Sequence, residues 1–546
     1  MTTKKKVLFV SESHNLASGF GTYAKEVISR LHATGKYDIR EFGSYGDHNS
    51  IGDLPWGYYG NLPDPNNKEQ NDHYGQSSLN HFGLWRFTHV LLDFKPDIVL
   101  TYRDPWMDMW IKDNPLREFF HWVWMPTVDS APQKREWLET FKNCDAILAY
   151  SEFGQKTLDE ESNGAINTIG CASPAIDPSV YYPFSNKKEH KKSLGIDEDS
   201  FIIGTVMRNQ KRKLFIELMR SFKMFLDKAP KEVRDKTFLY LHTSYPEKVG
   251  WDIQAGLLEE GIAANTLCTY ICRSCNHWQP MKFRGAIATC QSCGNRTAFM
   301  PNVGNGLDIK DLVKVYNCFD LYVQYAICEG FGMPQVEAAG CGVPIAATNY
   351  SAMEDVVRNT KGFPIKIDKM YREMETNADR AYPSNEHLSE IMLKFFTEDE
   401  GYRQKKSEQA RQGVLDRYNW DDTAKVWEDY IDTYRPVRNQ GKWDLPKRNI
   451  SPQSNPPNTR KQEDLSRWSF TEMRQPSRVF SYDAALTTTN LNYGCMIYNG
   501  LMTFNKEELV KRTEALVKDA ITIEKVRVGE QQLAPVTFFK KGVDSE

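Results

Sequence analysis

The stretch Cys328–Pro344, CEGFGMPQVEAAGCGVP, sets two carboxylates, Glu329 and Glu337, on either side of a glycine-rich turn. The apolar run before it, DLYVQYA (Asp320–Ala326), predicts a strand. Glu329 is therefore expected at a strand's carboxyl end, where doubly wound parallel sheets bind their ligands. The residues GFGM form a tight turn whose backbone can approach a ligand closely, Pro334 suits a first helical turn, and QVEAAG continues the helix. Free N–H groups and the dipole at that helix start suit a phosphate. One acid before the turn and one inside the first helical turns can hold two parts of one ligand, because carboxylates make strong hydrogen bonds to vicinal hydroxyls. Acids also favour helix starts for dipole reasons alone, so the spacing by itself leaves both readings open.

Working outward, strands alternate with helices on both sides of the stretch. KKVLFVSES predicts a buried strand ending at Glu12, and HNLASGFGTYAKEVISRLHATG a glycine-bearing loop running into an amphipathic helix. PDIVLTY (Pro96–Tyr102), FFHWVWM (Phe119–Met125) and DAILAYS (Asp145–Ser151) are further strands, with Gly43 to Ser78 expected as a loop insertion. A second alternation runs through FIIGTVM, TFLYLHT, TLCTYI and DLYVQYA, each followed by a helix or loop. The pattern predicts an α/β chain of two Rossmann-like domains, hinged near Asp177 to Asp199. After the first strand of the second domain, TVMRNQKRKLFIELM brings Arg208 and Lys213 to a strand end, where cations facing a helix start would bracket a diphosphate. An ordinary solvated basic loop is the other reading.

These motifs together resemble the retaining glycosyltransferases of family 4, which have the GT-B architecture of two Rossmann-like domains facing a central cleft. The E-x7-E motif is EGFGMPQVE, Glu329 to Glu337; LDIKDLVKVYNCFDLYVQYA before it, YSEFGQKTL (Tyr150–Leu158), ASPAIDPSVYYP (Ala172–Pro183) and SGFGTYAKE (Ser18–Glu26) also match. The resemblance covers roughly residues 5 to 435. It implies that Glu329 bonds a donor sugar, that the backbone of Gly330, Phe331, Gly332 and Met333 meets sugar and diphosphate, and that Glu337 binds ribose. Arg208 and Lys213 would neutralise the leaving diphosphate, and Gly19 and Gly21 would let the first domain close on the donor. Asp129, in WMPTVDSAP, falls near the expected reacting centre, although an ordinary loop Asp would read the same. The implied reaction transfers a sugar from a nucleotide-diphosphate sugar with retention and without a catalytic metal. The domains expected are residues 1–180 on the acceptor side, 181–415 on the nucleotide-sugar side, 416–435 as a helix returning toward the first, and 436–546 as a basic strap and extension.

One insertion departs from the family. Residues 268–300, starting inside TLCTYI and ending before IKDLVKVYNCF, hold Cys272-x2-Cys275 and Cys290-x2-Cys293 separated by fourteen residues, the spacing of a zinc ribbon. Four thiolates predict a closed, structural Zn2+ site. The ribbon has Arg273, Lys282, Arg284 and Arg296 and no acid, with Tyr270, Trp278, Phe283 and Phe299 interleaved. Those rings and cations suit either a nucleic-acid surface or a packed and solubilised ribbon. The acceptor is accordingly a glycan, a lipid-linked or small-molecule hydroxyl, or a hydroxylated base of DNA or RNA docked by the ribbon. A sugar phosphorylase, a nucleotide-sugar epimerase and a nonenzymatic binding protein are the competing readings.

Composition sets the outer limits. A net charge of −3 over 546 residues makes no global case for a polyanionic partner, although residues 436–481 hold nine Lys/Arg against four acids. No apolar run is long enough to span a bilayer, and the apolar run behind the basic start is too short for a signal peptide. Eleven cysteines without a secretory signal fit a reducing compartment, so a cytoplasmic location is expected.

Overall fold

The computed structural model describes residues 4–443, apart from 17, 48–53, 303 and 438–439. The expected basic strap and extension lie, from residue 444 onward, outside the described residues. Met1–Gly441 forms one compact unit.

Its first half is built on a seven-stranded sheet of β1 (Lys5–Glu12), β2 (Tyr37–Ser44), β3 (Gly57–Gly60), β4 (Ile98–Arg103), β5 (His121–Pro126), β6 (Ala146–Ala149) and β7 (Thr168–Cys171). The order is β3-β2-β1-β4-β5-β6-β7, and every pair is parallel. The apolar runs IVLTYR and HWVWMP are buried along their whole length, as central parallel strands covered on both faces must be. The chain winds outward from β1 and then restarts at β4, which puts the topological switch point, and its crevice, at the ends of those two strands. The span from Gly43 to Ser78 is not a loop insertion. It contributes β3 as an edge strand in register with Arg40–Gly43, followed by the helix Lys68–Gly75. β3 is the four residues GYYG, too short and too glycine-rich to announce itself as an apolar run.

The second half holds β8 (Phe201–Val206), β9 (Thr237–His242), β10 (Thr266–Cys272), β11 (Trp278–Lys282), β12 (Ile287–Ala288), β13 (Ala298–Phe299), β14 (Leu321–Gln324), β15 (Ile345–Thr348) and β16 (Phe363–Ile365). The order is β12-β13-β10-β9-β8-β14-β15-β16, with β11 on the other edge of β10. β10, β9, β8, β14, β15 and β16 run parallel, while β11 and β13 pair with β10 antiparallel. β10 is thus shared: its first residues complete the main sheet, and its last carry the cysteine ribbon. A hairpin of β17 (Ile367–Arg372) and β18 (Asp379–Pro383) stands apart from the sheet.

The helices Asn385–Thr397 and Glu400–Arg417 close the second half, and the helix Trp420–Thr433 then lies on the helix Gly19–Ala33 of the first. There the buried Trp427 Nε1–H donates to Tyr23 Oη at 2.7 Å. The outgoing and returning chain segments run side by side, with a parallel bridge between Ile176 and Asn419 and the Ile176 N–H donating to the Tyr418 carbonyl. The carboxyl edges of the two sheets face each other. A Cβ on Gly330, after β14, would meet Thr127 Cγ2, after β5, at 2.1 Å. Phe331 stands edge-on to Tyr150 and Tyr418, with ring centroids 5.9 and 5.5 Å away.

Candidate functional site

Glu329 is 5 % exposed and follows β14 at the carboxyl edge of the second sheet. Its Oε1 accepts a hydrogen bond from Gln324 Nε2 at 2.6 Å and is in contact with the buried Lys213 ammonium; Arg212 Nη2 lies 3.7 Å from Oε2. The cations reach it because the loop after β8 is pinned along residues 325–327: the Leu214 N–H donates to the Tyr325 carbonyl and the Ile327 N–H to the Arg212 carbonyl, each at 3.0 Å. Burial pulls the Lys213 pKa well down and the neighbouring Arg212 adds to this, while Cys328 opposes it; the Glu329 carboxylate is the opposite charge in contact. The Glu329 N–H donates to Ser351 Oγ at 2.9 Å. Ser351 has φ 55° and ψ −155°, a region that costs a side-chain-bearing residue strain and that clusters at functional sites.

The helix Met333–Gly340 starts from Gly332, whose φ of +83° needs a glycine. Glu337 on this helix accepts from Tyr316 Oη at 2.6 Å and from Tyr181 Oη at 3.3 Å. Burial raises its pKa and the Tyr316 hydrogen bond opposes the rise. The two acids therefore have different surroundings, cations for Glu329 and phenols for Glu337.

Arg208 is not brought to Glu329. Its guanidinium is half exposed, with Glu247 at 3.6 Å, and Arg212 stands beside the acid instead. Gly19 faces the second half, since a Cβ there would lie 4.0 Å from Met333 Sδ. Gly21 does something else: a Cβ on it would fall 2.6 and 2.7 Å from the Leu16 and Ser13 carbonyl oxygens, so it allows the loop to close on itself. Asp129 lies beside Cys328, whose thiol donates to it at 3.3 Å, and its carboxylate is paired with Arg380 of β18 at 3.0 Å. It therefore ties the first half to the hairpin.

Four residues to which the motifs assigned no role complete the site: Arg212, Tyr181 and Tyr316, which lie within quoted stretches, and Asp104, which does not. Asp104 follows β4 at the carboxyl edge of the first sheet, accepts a hydrogen bond from Thr127, and lies in range of Asp129, Arg212 and Glu12. Burial pushes its pKa up to about 6. Its position directly after a predicted strand was the signal that could have found it.

The four ribbon thiols come together, with all ligand atoms within 4.8 Å of one another and Sγ pairs Cys272–Cys293 and Cys275–Cys290 at 3.6 and 3.7 Å. Tetrahedral Zn–S bonds of about 2.3 Å place sulfurs about 3.8 Å apart, so the set fits zinc. Each pair sits on a similar turn closed by a left-handed residue, Asn276 at φ 56° and Gly294 at φ 72°. The ribbon's rings are used in packing. Tyr270 is fully buried, Trp278 packs on the main core, Phe283 meets Tyr245, and Arg273 covers Phe299 at 4.1 Å.

Residues 302–377 match the family described as glycosyl transferases group 1. A search of curated proteins finds no match. Among solved structures the chain is similar to sucrose-phosphate synthase from Thermosynechococcus elongatus, at 15 % identity, 79 % of this chain, 98 % of that one and a TM-score of 0.57. It is also similar to HepE of Anabaena in complex with UDP and glucose, at 14 %, 79 %, 100 % and 0.53. WaaG, a glycosyltransferase involved in lipopolysaccharide biosynthesis, gives 13 %, 79 %, 100 % and 0.51. At these identities the likeness establishes the fold, which is GT-B with a cysteine cluster in its second half. Among the described residues, no helix is long and apolar enough to cross a membrane.

Proposed function

We propose that the chain is a retaining glycosyltransferase resembling family 4, moving a sugar from a nucleotide-diphosphate sugar to an acceptor hydroxyl. The observation that carries this reading is the buried Glu329–Lys213 contact, with Arg212 beside it, at a sheet's carboxyl edge and a helix start. Buried titratable groups with shifted pKa values and a specific charge partner cluster at functional sites. The match to group 1 glycosyl transferases, and the UDP and glucose named for HepE, support it.

In this reading Glu329 accepts hydrogen bonds from the donor sugar, and the backbone of Gly330, Phe331, Gly332 and Met333 approaches sugar and diphosphate. Glu337 takes ribose hydroxyls in place of the phenols it now holds. Gly19 leaves room for the donor against Met333, while Gly21 shapes the loop that carries it. The C1–O bond to the diphosphate breaks ahead of attack, through an oxocarbenium-like transition state. The acceptor hydroxyl then attacks C1 on the same face and passes its proton to the departing phosphate oxygen. Lys213 and Arg212 stabilise the charge growing on that phosphate, and the half-exposed Arg208 turns in to join them. These cations do the work a metal would otherwise do, so the transfer itself is metal-independent. Asp129 and Asp104 stand opposite, on the acceptor's side. Cys272, Cys275, Cys290 and Cys293 hold a zinc ion whose chemistry is structural only.

Titration with UDP, GDP and ADP, followed by hydrolysis assays with the matching nucleotide sugars, tests the reading. We expect one nucleotide to bind, and Lys213→Ala to cost at least about 10²-fold in turnover. Absence of nucleotide binding, or full turnover in Lys213→Ala, would reject it.

A further inference from the structure

Exposed tryptophan is uncommon on a protein surface, and Trp106 is 46 % exposed at the carboxyl edge of the first sheet, two residues after Asp104. Tyr45, 39 % exposed, stands after the end of β2 on the same edge. Both rings are set against one buried ring, Phe82: Trp106 at 4.9 Å and 88°, Tyr45 at 5.9 Å and 87°. Behind Tyr45, His81 is sandwiched further by Tyr74 at 4.6 Å. Tyr45 also holds φ at +58°, a left-handed conformation rare for a bulky residue, which the packing must maintain. The two rings are therefore a fixed platform rather than loose side chains.

The charges around it select the occupant. Those in range of Tyr45 are the Glu12 carboxylate and Arg103, and Arg103 is buried in a pair with Asp108. Those acting most on Asp104 are Asp129, itself paired with Arg380, then Arg212, which belongs to the opposite half, and Glu12. A phosphodiester chain laid on the platform would meet carboxylates. A neutral polyol would meet good acceptors for its hydroxyls, while its C–H face, weakly positive, would rest on the negative faces of the rings. The spacing also suits a sugar. Trp106 is two residues from Asp104, within about 7 Å along the chain, so the platform begins one ring away from the groups facing Glu329.

We infer that Tyr45 and Trp106 form the acceptor subsite and that the acceptor is a neutral carbohydrate whose ring stacks on them. This rests on the reading of the cleft as a glycosyl-transfer site. It assigns the choice of acceptor to the first half's sheet edge and removes it from the ribbon.

The test is saturation-transfer NMR on the full chain with neutral oligosaccharides of glucose, mannose, galactose and N-acetylglucosamine and with a single-stranded oligonucleotide. A UDP titration of the same sample runs alongside. We expect at least one oligosaccharide to bind, with affinity reduced roughly tenfold or more by Trp106→Ala and by Tyr45→Ala, and largely restored in Trp106→Phe. Thermal melts show that each variant is folded. If UDP binds but no oligosaccharide does, or if binding ignores all three substitutions, the inference fails while the glycosyl-transfer reading stands. Oligonucleotide binding that Trp106→Ala abolishes also overturns it. If UDP itself fails to bind, the underlying reading falls first.

Discussion

Asp104 shows what one residue contributes at the cleft. Burial pushes its carboxyl up to about 6; the Thr127 hydrogen bond and Arg212 oppose the rise, while Asp129 and Glu12 add to it. An acid whose folded pKa exceeds its unfolded value of about 4 binds more protons folded than unfolded between those values. Stability therefore falls as pH rises from about 4 to about 6 and levels off above, by up to about 1.4 kcal/mol per pH unit. Asp104→Asn removes that slope, so urea melts should show the variant gaining stability relative to wild type across this window. Parallel pH curves for the two proteins would contradict the burial argument. That Glu329, Gly19 and Lys213 stand at the facing sheet edges was legible in the sequence because their motifs are local. The phenols on Glu337 were not, since Tyr181 comes from 156 positions away and no spacing rule reaches that far. Arg212 sat in view beside Lys213, but only the backbone pairing with residues 325–327 decides which cation meets the acid.

At the scale of an element, β10 binds two structures into one. The C-x2-C spacing made the four-cysteine cluster readable, but strands of two residues such as β12 and β13 leave no periodic trace. Because Cys272 ends a strand whose start pairs with β9, metal loss should loosen the main sheet as well as the ribbon. We expect about one zinc per chain by elemental analysis, as four thiolates imply. Cys290→Ser should lose the metal, lower the melting temperature and speed amide exchange in β9 and β10. If exchange changed in residues 273–300 alone, the shared strand would not couple them.

For the whole molecule, the fit between halves is set at Gly330. A methyl there would collide with Thr127 Cγ2, and overpacking of this kind costs about 1–3 kcal/mol. Gly330→Ala should widen the cleft, seen as a larger radius of gyration by X-ray scattering, and should slow any glycosyl transfer. Adding Thr127→Ser removes the colliding methyl and keeps the hydroxyl that Asp104 accepts from, so the double variant should recover both measures. A double variant no better than Gly330→Ala would mean that the Thr127 methyl does not set the fit at Gly330. Further ties between them include Asp129 to Arg380, the Phe153 N–H to Asp355 and Arg358 to Glu152. The Ile176–Asn419 bridge gives this arrangement a mechanical sense. Two chain crossings laid side by side define a line, and bodies joined along a line can rotate about it far more readily than they can slide past each other. Any opening would thereby be reduced to one angle, with each loop's travel scaling with its distance from that line.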